Sequence, residues 1–238
     1  MSLSTGRPLV IAHRGASAVE YENSLAAFRA ARRLGADGVE LDVHTTTDGE
    51  LFVHHDSTVD GLRIPRATAA QVAQRRLPNG EAVPTLAQAL AELPAPLRIF
   101  VEVKTLPPGS DGRLLEVLEQ GAPGGGRYAV HSFDHRIIGR LGAVRPTLQR
   151  GVLLASYPIR PLDALADTGA TVLWEDYSLI DAALVEEVHG GGDRIFAWTV
   201  DDSSDMQRLM DLGVDGLCTN HPDVARRVVG PATPARPA

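Results

Sequence analysis

The sequence predicts an α/β protein, a single domain closed as a (β/α)8 TIM barrel, and three observations carry that expectation. Short apolar runs alternate with amphipathic stretches from end to end, the mark of successive βα units rather than of segregated strands and helices. Eight such units can be drawn along the chain. At 238 residues the chain has the size of one such barrel. An open doubly wound sheet is the competing architecture, but it would carry a glycine-rich phosphate loop after its first strand, and none follows here.

Strands are expected at residues 9–12, 38–43, 98–103, 128–131, 148–153, 171–174, 194–199 and 216–218. Helices are expected at 23–34, 86–93, 112–120, 135–142, 161–167, 181–189, 203–212 and 222–229. The first strand is the apolar run Leu9-Val-Ile-Ala12. Asn23 then serves as an N-cap, with Leu25, Phe28, Ala31 and Leu34 at helical spacing behind it. In the second strand Val39, Leu41 and Val43 point one way while Glu40 and Asp42 point the other. The third repeats the device, with Val101 and Val103 on one face and Glu102 and Lys104 on the other. The remaining units continue the alternation. Residues 57–84 are the longest stretch between strands that is not clearly helical, and they are read as a lid or wall on the rim of the acidic pair. Residues 121–126 read as a helix-to-strand loop. The barrel is expected to occupy residues 1–230, with 231–238 as a frayed, disordered tail.

Composition narrows the function classes. A hydrophobic content of 44%, a charged content of 22% and no eighteen-residue apolar run describe a soluble globular chain without stable membrane insertion. A formal net charge of −7 with no basic cluster argues against nucleic acid and against docking on anionic lipid. No long apolar stretch precedes the first strand, so export is not expected, and the single cysteine excludes an internal disulfide. Together they make a cytoplasmic location the expected one. Cys218 itself reads as core packing at a strand end. Oligomeric state has no sequence signature here.

The chemistry gathers at strand ends, where a barrel places its active site. A buried strand pays heavily for two unpaired carboxylates unless a cation or a proton neutralises them. Glu40, Asp42 and Glu102 therefore read as a hard-metal site with oxygen ligands only, suited to Mg2+ or Ca2+, with Mn2+ as a third option, and unlike zinc sites. Three carboxylates, one divalent cation, Arg14 and Lys104 sum to about +1, which suits a phosphodiester. Its cleavage also needs one group to take a proton and one to give it, and imidazoles titrate in the right range. His13 supplies one; the pair His54-His55 supplies another, and the residues alone do not choose between these neighbours. Trp198 is placed to wall a glycerol-sized pocket. His44, His54 and His131 have no motif partner of comparable specificity and read as rim or core histidines, and Trp174 and Tyr177 as rim residues.

These motifs resemble the glycerophosphodiester phosphodiesterase family of metal-dependent (β/α)8 barrels. The match runs in the family's order through His13-Arg14-Gly15, Glu22-Asn23, Gly35-Ala-Asp-Gly-Val-Glu-Leu-Asp-Val43, Thr47-Asp48-Gly49, His55-Asp56, Val101-Glu-Val-Lys104, Ser132-Phe133-Asp134, Ala197-Trp-Thr-Val200 and Gly213-Val-Asp-Gly216. The resemblance implies that His13 and His55 are the acid–base pair, that Glu40, Asp42 and Glu102 bind the metal, and that Arg14 and Lys104 hold the phosphate. It implies a small-molecule substrate, a glycerophosphodiester cleaved to glycerol 3-phosphate and an alcohol. The chain departs from the family at Tyr21-Glu-Asn-Ser24, where Pro-Glu-Asn-Thr is usual, and in carrying Arg63 later than the family's arginine after the His-Asp pair. Pocket shape, more than chemistry, is where the difference is expected. Two other readings stand beside this one: a lysophospholipase D-like or sphingomyelinase D-like activity on a single-chain lipid, which needs an apolar groove, and a catalytically silent binding barrel. The silent barrel would be expected to have lost a histidine or carboxylate, and none of the five is missing.

Overall fold

The structure is a computed structural model that describes residues 6–123 and 126–231. Along the chain run β1 (Leu9–Ala12), α1 (Leu25–Arg33), β2 (Gly38–Thr45), β3 (Leu51–Val53), β4 (Thr58–Val59), β5 (Leu62–Arg63), α2 (Ala69–Ala73), α3 (Leu86–Ala91), β6 (Arg98–Val103) and α4 (Asp111–Gly121). There follow β7 (Tyr128–Ser132), α5 (His135–Val144), β8 (Gln149–Leu154), α6 (Asp163–Thr168), β9 (Val172–Asp176), α7 (Ala182–Gly190), β10 (Arg194–Trp198), α8 (Ser203–Leu212), β11 (Gly216–Thr219) and α9 (Pro222–Val229). Strands β1, β2, β6, β7, β8, β9, β10 and β11 pair in that order, all parallel, and β1 pairs with both β2 and β11. The sheet therefore closes into the expected (β/α)8 barrel, with no free edge among these eight strands.

Alternation along each strand divides the core in two. Outward-facing Val10, Val39, Leu41, Val101, Val103, Leu173 and Leu217 pack with Phe28, Leu86, Leu114, Ile138, Leu184 and Leu209 of the helices. Inward-facing Ile11, Phe100, Ala129, Leu153, Val172, Trp174, Phe196 and Cys218 form a separate cluster inside the barrel. Three rings dominate that plug. Phe100, Trp174 and Phe196 meet edge to face with centroids 5.5, 5.7 and 5.0 Å apart, an arrangement worth about 0.5–1.5 kcal/mol per pair beyond area burial. Each ring faces a glycine: a Cβ at Gly38, Gly151 or Gly216 would lie 2.8 Å from Phe100, Trp174 or Phe196. The plug is a dry floor beneath the carboxyl ends of the strands.

Two expectations change. Asn23 is not the N-cap of α1; Ser24 is, its hydroxyl accepting from the Ala27 N–H, because Asn23 has φ 56° and spends its side chain on Asp42. Trp174 is not a rim residue but belongs to the plug, since β9 turns it inward. The stretch 57–84 is not featureless. β3 extends the sheet antiparallel to the end of β2, β4 and β5 form a hairpin, and α2 is closed by a capping box between Thr68 and Gln71. Val59, Ile64, Ala67, Val72, Leu77 and Val83 pack with Phe52 into a small core of their own, so the segment is a wall standing beside the barrel mouth. Cys218 is buried as expected, and burial pushes its thiol well up. Within the expected loop 121–126, residues 124 and 125 lie outside the described residues, as do 232–238 of the expected tail. No helix among the described residues is long and apolar enough to cross a membrane.

Emptying the centre of the plug should be costly. Phe196→Ala is expected to lower unfolding stability by about 3–5 kcal/mol, read from urea denaturation midpoints, and a loss below about 1 kcal/mol would contradict a tightly packed floor.

Candidate active site

Strand register assembles the polar layer directly above the plug. Asp42 of β2 is the partner of Glu102 on β6, and Glu102 is the partner of His131 on β7. Inward alternation adds Glu40 one step below Asp42. All four are buried, with Glu40 3%, Asp42 1%, Glu102 8% and His131 1% exposed.

Their countercharges are unevenly shared. Asp42 receives Arg14 Nε at 3.3 Å, Lys104 Nζ at 3.2 Å and a hydrogen bond from Asn23 Nδ2 at 2.8 Å. Burial works against its charge, but Lys104, Arg14 and the Asn23 amide together hold it well below the usual carboxylate range. Glu102 has Lys104 Nζ at 2.6 Å, yet burial and the neighbouring Asp42 still push it upward. Glu40 fares worst. Its Oε2 accepts the Arg14 backbone N–H at 3.0 Å, but its Oε1 has no hydrogen-bond partner. Burial first, then Asp42 and Glu102, drive Glu40 well above the ordinary carboxylate range.

The loop after β1 is bent to serve this layer. Arg14 and Asn23 both adopt left-handed backbone, φ 55° and 56°, and are joined by a hydrogen bond from the Asn23 N–H to the Arg14 carbonyl. The conformation is uncommon outside glycine and persists where surrounding structure over-determines it. Here it points the Arg14 N–H at Glu40 while the guanidinium spans Asp42 and Glu22, the latter at 2.7 Å.

The two motif histidines stand in different surroundings. His13 is largely enclosed. Its Nδ1 lies 2.8 Å from Asn220 Oδ1, and Asn220 is oriented by donating Nδ2–H to Asp201 at 2.7 Å. An oxygen opposite Nδ1 makes that nitrogen the proton carrier and leaves Nε2 with its lone pair. Burial, followed by the Arg14 charge, lowers the His13 pKa. His55 sits on the rim with Nδ1 2.8 Å from Asp56 Oδ1. Both histidines interact electrostatically with Asp42, which places them about the same carboxylate layer. Their neighbours hold the frame: His44 donates from Nε2 to the His55 carbonyl at 3.1 Å, and His54 donates from Nδ1 to the Asp56 carbonyl at 2.9 Å.

Two cavities flank the layer. One of about 490 Å³ is lined by Glu102, Lys104, Ser132, Phe133, Asp134 and Arg136. The other, about 330 Å³, lies against the wall and is lined by Tyr21, His54, Asp56, Thr58, Asp60 and Arg76 among others. Trp198 ends β10 and meets Phe133, a lining residue of the first cavity, edge to face at 5.5 Å.

A profile of the glycerophosphoryl diester phosphodiesterase family matches residues 13–224 of the chain. The chain belongs to that family. It is accordingly a phosphoric diester hydrolase of the glycerophosphodiester phosphodiesterase type. A glycerophosphodiester phosphodiesterase of Caldanaerobacter subterraneus subsp. tengcongensis is 32% identical over 239 residues, covering 94% of this chain and 98% of that protein. One of Bacillus subtilis is 28% identical, covering 95% and 88%. Among solved structures, a phosphodiesterase of Oleispira antarctica in complex with the product sn-glycerol-3-phosphate superposes with a TM-score of 0.87 at 25% identity, covering 96% of this chain and 99% of that one. A glycerophosphodiester phosphodiesterase of Parabacteroides distasonis gives 0.85 at 27% identity, covering 94% and 97%.

The residues expected from sequence thus gather in one place, while four others join them unannounced. His131 is no rim residue: it lies in the barrel interior beside Glu40, stacked on Trp174. Its signal was present, because strict alternation through Tyr128–Ser132 turns residue 131 inward with Ala129. Asn220, Asp201 and Ser17, which frame His13, are single polar residues in loops and carry no such periodic signal.

The raised pKa of Glu40 has a consequence for stability in chelator. The folded chain keeps this proton at a pH where the unfolded chain has already released it. Stability from this group is therefore full below the unfolded pKa and is lost as pH rises through the higher folded one. In EDTA, melting temperatures of wild type should fall below those of Glu40→Gln as pH rises, and the two should converge in acid. A variant less stable at every pH would mean that Glu40 supports the fold.

Proposed function

We propose that the chain hydrolyses glycerophosphodiesters to glycerol 3-phosphate and an alcohol with a divalent cation bound by Glu40, Asp42 and Glu102. The observation that carries this reading is the excess of buried carboxylate over buried cation. Among the described residues the three carboxylates share two cationic side chains, Arg14 and Lys104, and Glu40 Oε1 is buried without a hydrogen bond. The donors fit a divalent ion with open positions for substrate. When bound, it would supply positive charge to the non-bridging phosphate oxygens. Mg2+, Ca2+ and Mn2+ are the candidates by oxygen ligation.

The chain's own groups then divide the work. Arg14 and Lys104 border the layer and hold the phosphate. His13, neutral through burial and with its Nε2 lone pair set by Asn220, accepts the proton of the attacking glycerol hydroxyl, whose oxygen forms the new bond to phosphorus. His55, oriented through Nδ1 by Asp56, delivers a proton to the alcohol oxygen as its bond to phosphorus breaks. Water opens the resulting cyclic phosphate with the proton roles reversed, which returns both histidines to their starting states. The Trp198 indole N–H, buried without an acceptor, is the donor a glycerol hydroxyl would use. The lone buried cysteine supports a reducing, cytoplasmic setting.

A single-chain lipid remains the second reading because Phe133, Tyr157 and Ile159 on the strand-end loops are exposed. A panel of glycerophosphodiesters and lysolipids, assayed for release of the head-group alcohol, the product common to both cleavages, separates the two: the soluble diesters should be preferred, and turnover confined to lysolipids would reverse the assignment.

Two further outcomes are expected. Dialysis against EDTA should abolish turnover and added divalent ion restore it; full activity in excess chelator would sink the metal reading. His13→Ala and His55→Ala should each lower kcat by about two to four orders of magnitude with the fold intact, the usual scale for a positioned acid or base. The double variant should be little worse than the poorer single one, as for groups acting as one unit. His54→Ala as damaging as His55→Ala would remove the ground for choosing His55.

A further inference from the structure

His131 is unexplained by the acid–base pair and by the three carboxylates. It is 1% exposed, its Nδ1 has no hydrogen-bond partner, and its Nε2 stands 4.0 Å from Glu40 Oε1, which also lacks one. That separation is too long for a hydrogen bond. It is nevertheless a spacing that two ligands of one ion can hold, and one ligand atom each from Glu40, Glu102 and His131 lies within 4.8 Å of the others. The imidazole is not free to turn elsewhere. It stacks on Trp174 with centroids 4.2 Å apart and planes 10° from parallel, and Trp174 is locked between Phe100 and Phe196. Asp42, by contrast, is occupied by Arg14, Lys104 and Asn23.

We propose that His131 Nε2 is a nitrogen ligand of the cation held by Glu40 and Glu102, so that the centre is a mixed nitrogen–oxygen site. Resting on the metal reading above, this changes which ion the chain prefers. An imidazole nitrogen adds little for Mg2+ or Ca2+, which favour oxygen, more for Mn2+, and most for later first-row ions such as Co2+ and Zn2+. Of the ions expected from sequence, Mg2+, Ca2+ and Mn2+, the nitrogen ligand favours Mn2+. Glu40 Oε1 is buried without a hydrogen-bond partner, which is costly, and a cation shared with the facing His131 Nε2 satisfies it.

Pulsed EPR of the full chain loaded with Mn2+ reads the ligand directly. A 14N coupling of directly bound imidazole is expected, replaced by a 15N coupling after labelling with 15N-histidine. It should persist in His13→Gln and vanish in His131→Gln, with His131→Asn as the second variant should the first fail to fold. In calorimetric titrations, His131→Gln should weaken Mn2+ about tenfold or more while changing Ca2+ much less, at least the scale seen for perturbing a ligand's own support. Bound Mn2+ without nitrogen coupling, coupling that survives in the His131 variants, or equal losses for Mn2+ and Ca2+ would overturn the nitrogen ligand and leave the carboxylate site standing. Absence of any Mn2+ binding would overturn both readings.

Discussion

The constraint on which the rest of the structure depends is a charge imbalance held out of water. Glu40, Asp42 and Glu102 point into a barrel whose floor is an aromatic plug, and among the described residues Arg14 and Lys104 are the Lys or Arg side chains that pair with them. Ions of like sign in such surroundings must be paired, protonated or bound to a cation. Much of the local architecture answers this demand. The left-handed turn at Arg14 brings a backbone N–H to Glu40 and a guanidinium to Asp42 at once, and the left-handed Asn23 supplies an amide to Asp42. Three mutually repelling carboxylates thus end with three different environments, Asp42 firmly ionised and Glu40 the least willing.

Around that layer, hydrogen bonds turn flexible loop ends into fixed supports. Thr105 accepts from the Thr45 N–H and, through its carbonyl, from the Thr45 hydroxyl, tying the end of β2 to the end of β6. His44 continues the tie to the backbone of His55. On the opposite side Asp201 holds Asn220, and Asn220 holds His13. The histidines are consequently positioned from different parts of the barrel, one enclosed beside β1 and β11, the other on the rim after β3. Their surroundings therefore differ, His13 enclosed and His55 at the surface of the rim.

The wall formed by residues 57–84 sits where the chain departs from the family's usual sequence. Its small core anchors on Phe52, and Glu81 accepts the backbone N–H of Leu25 at the start of α1, so it is joined to the barrel at two points. It borders a cavity that also receives Tyr21 and Asp56, beside His55, while Phe133, packed on Trp198, borders the other cavity with Lys104. The strands thus carry the charged layer, and the loops line the cavities beside it.

Period-two alternation was enough to read the barrel and to place Glu40, Asp42, Glu102 and Lys104 on inward faces, because which face a strand residue occupies is a local property of the backbone. The same rule reaches His131, but only once β7 is known to lie beside β6, for inward direction alone does not say what a side chain meets. Asn23 looked like a helix cap because local propensity favours it there; tertiary structure assigned the cap to Ser24 and Asn23 to Asp42, a partner nineteen positions away in sequence. Trp174 looked like a rim residue until closure of the barrel set it between Phe100 and Phe196. The sequence by itself determined which residue types point inward and how many strands carry them. Only the closed sheet decided their register, and with it which charges are paired, which polar atoms are left without partners, and where a cation would be needed.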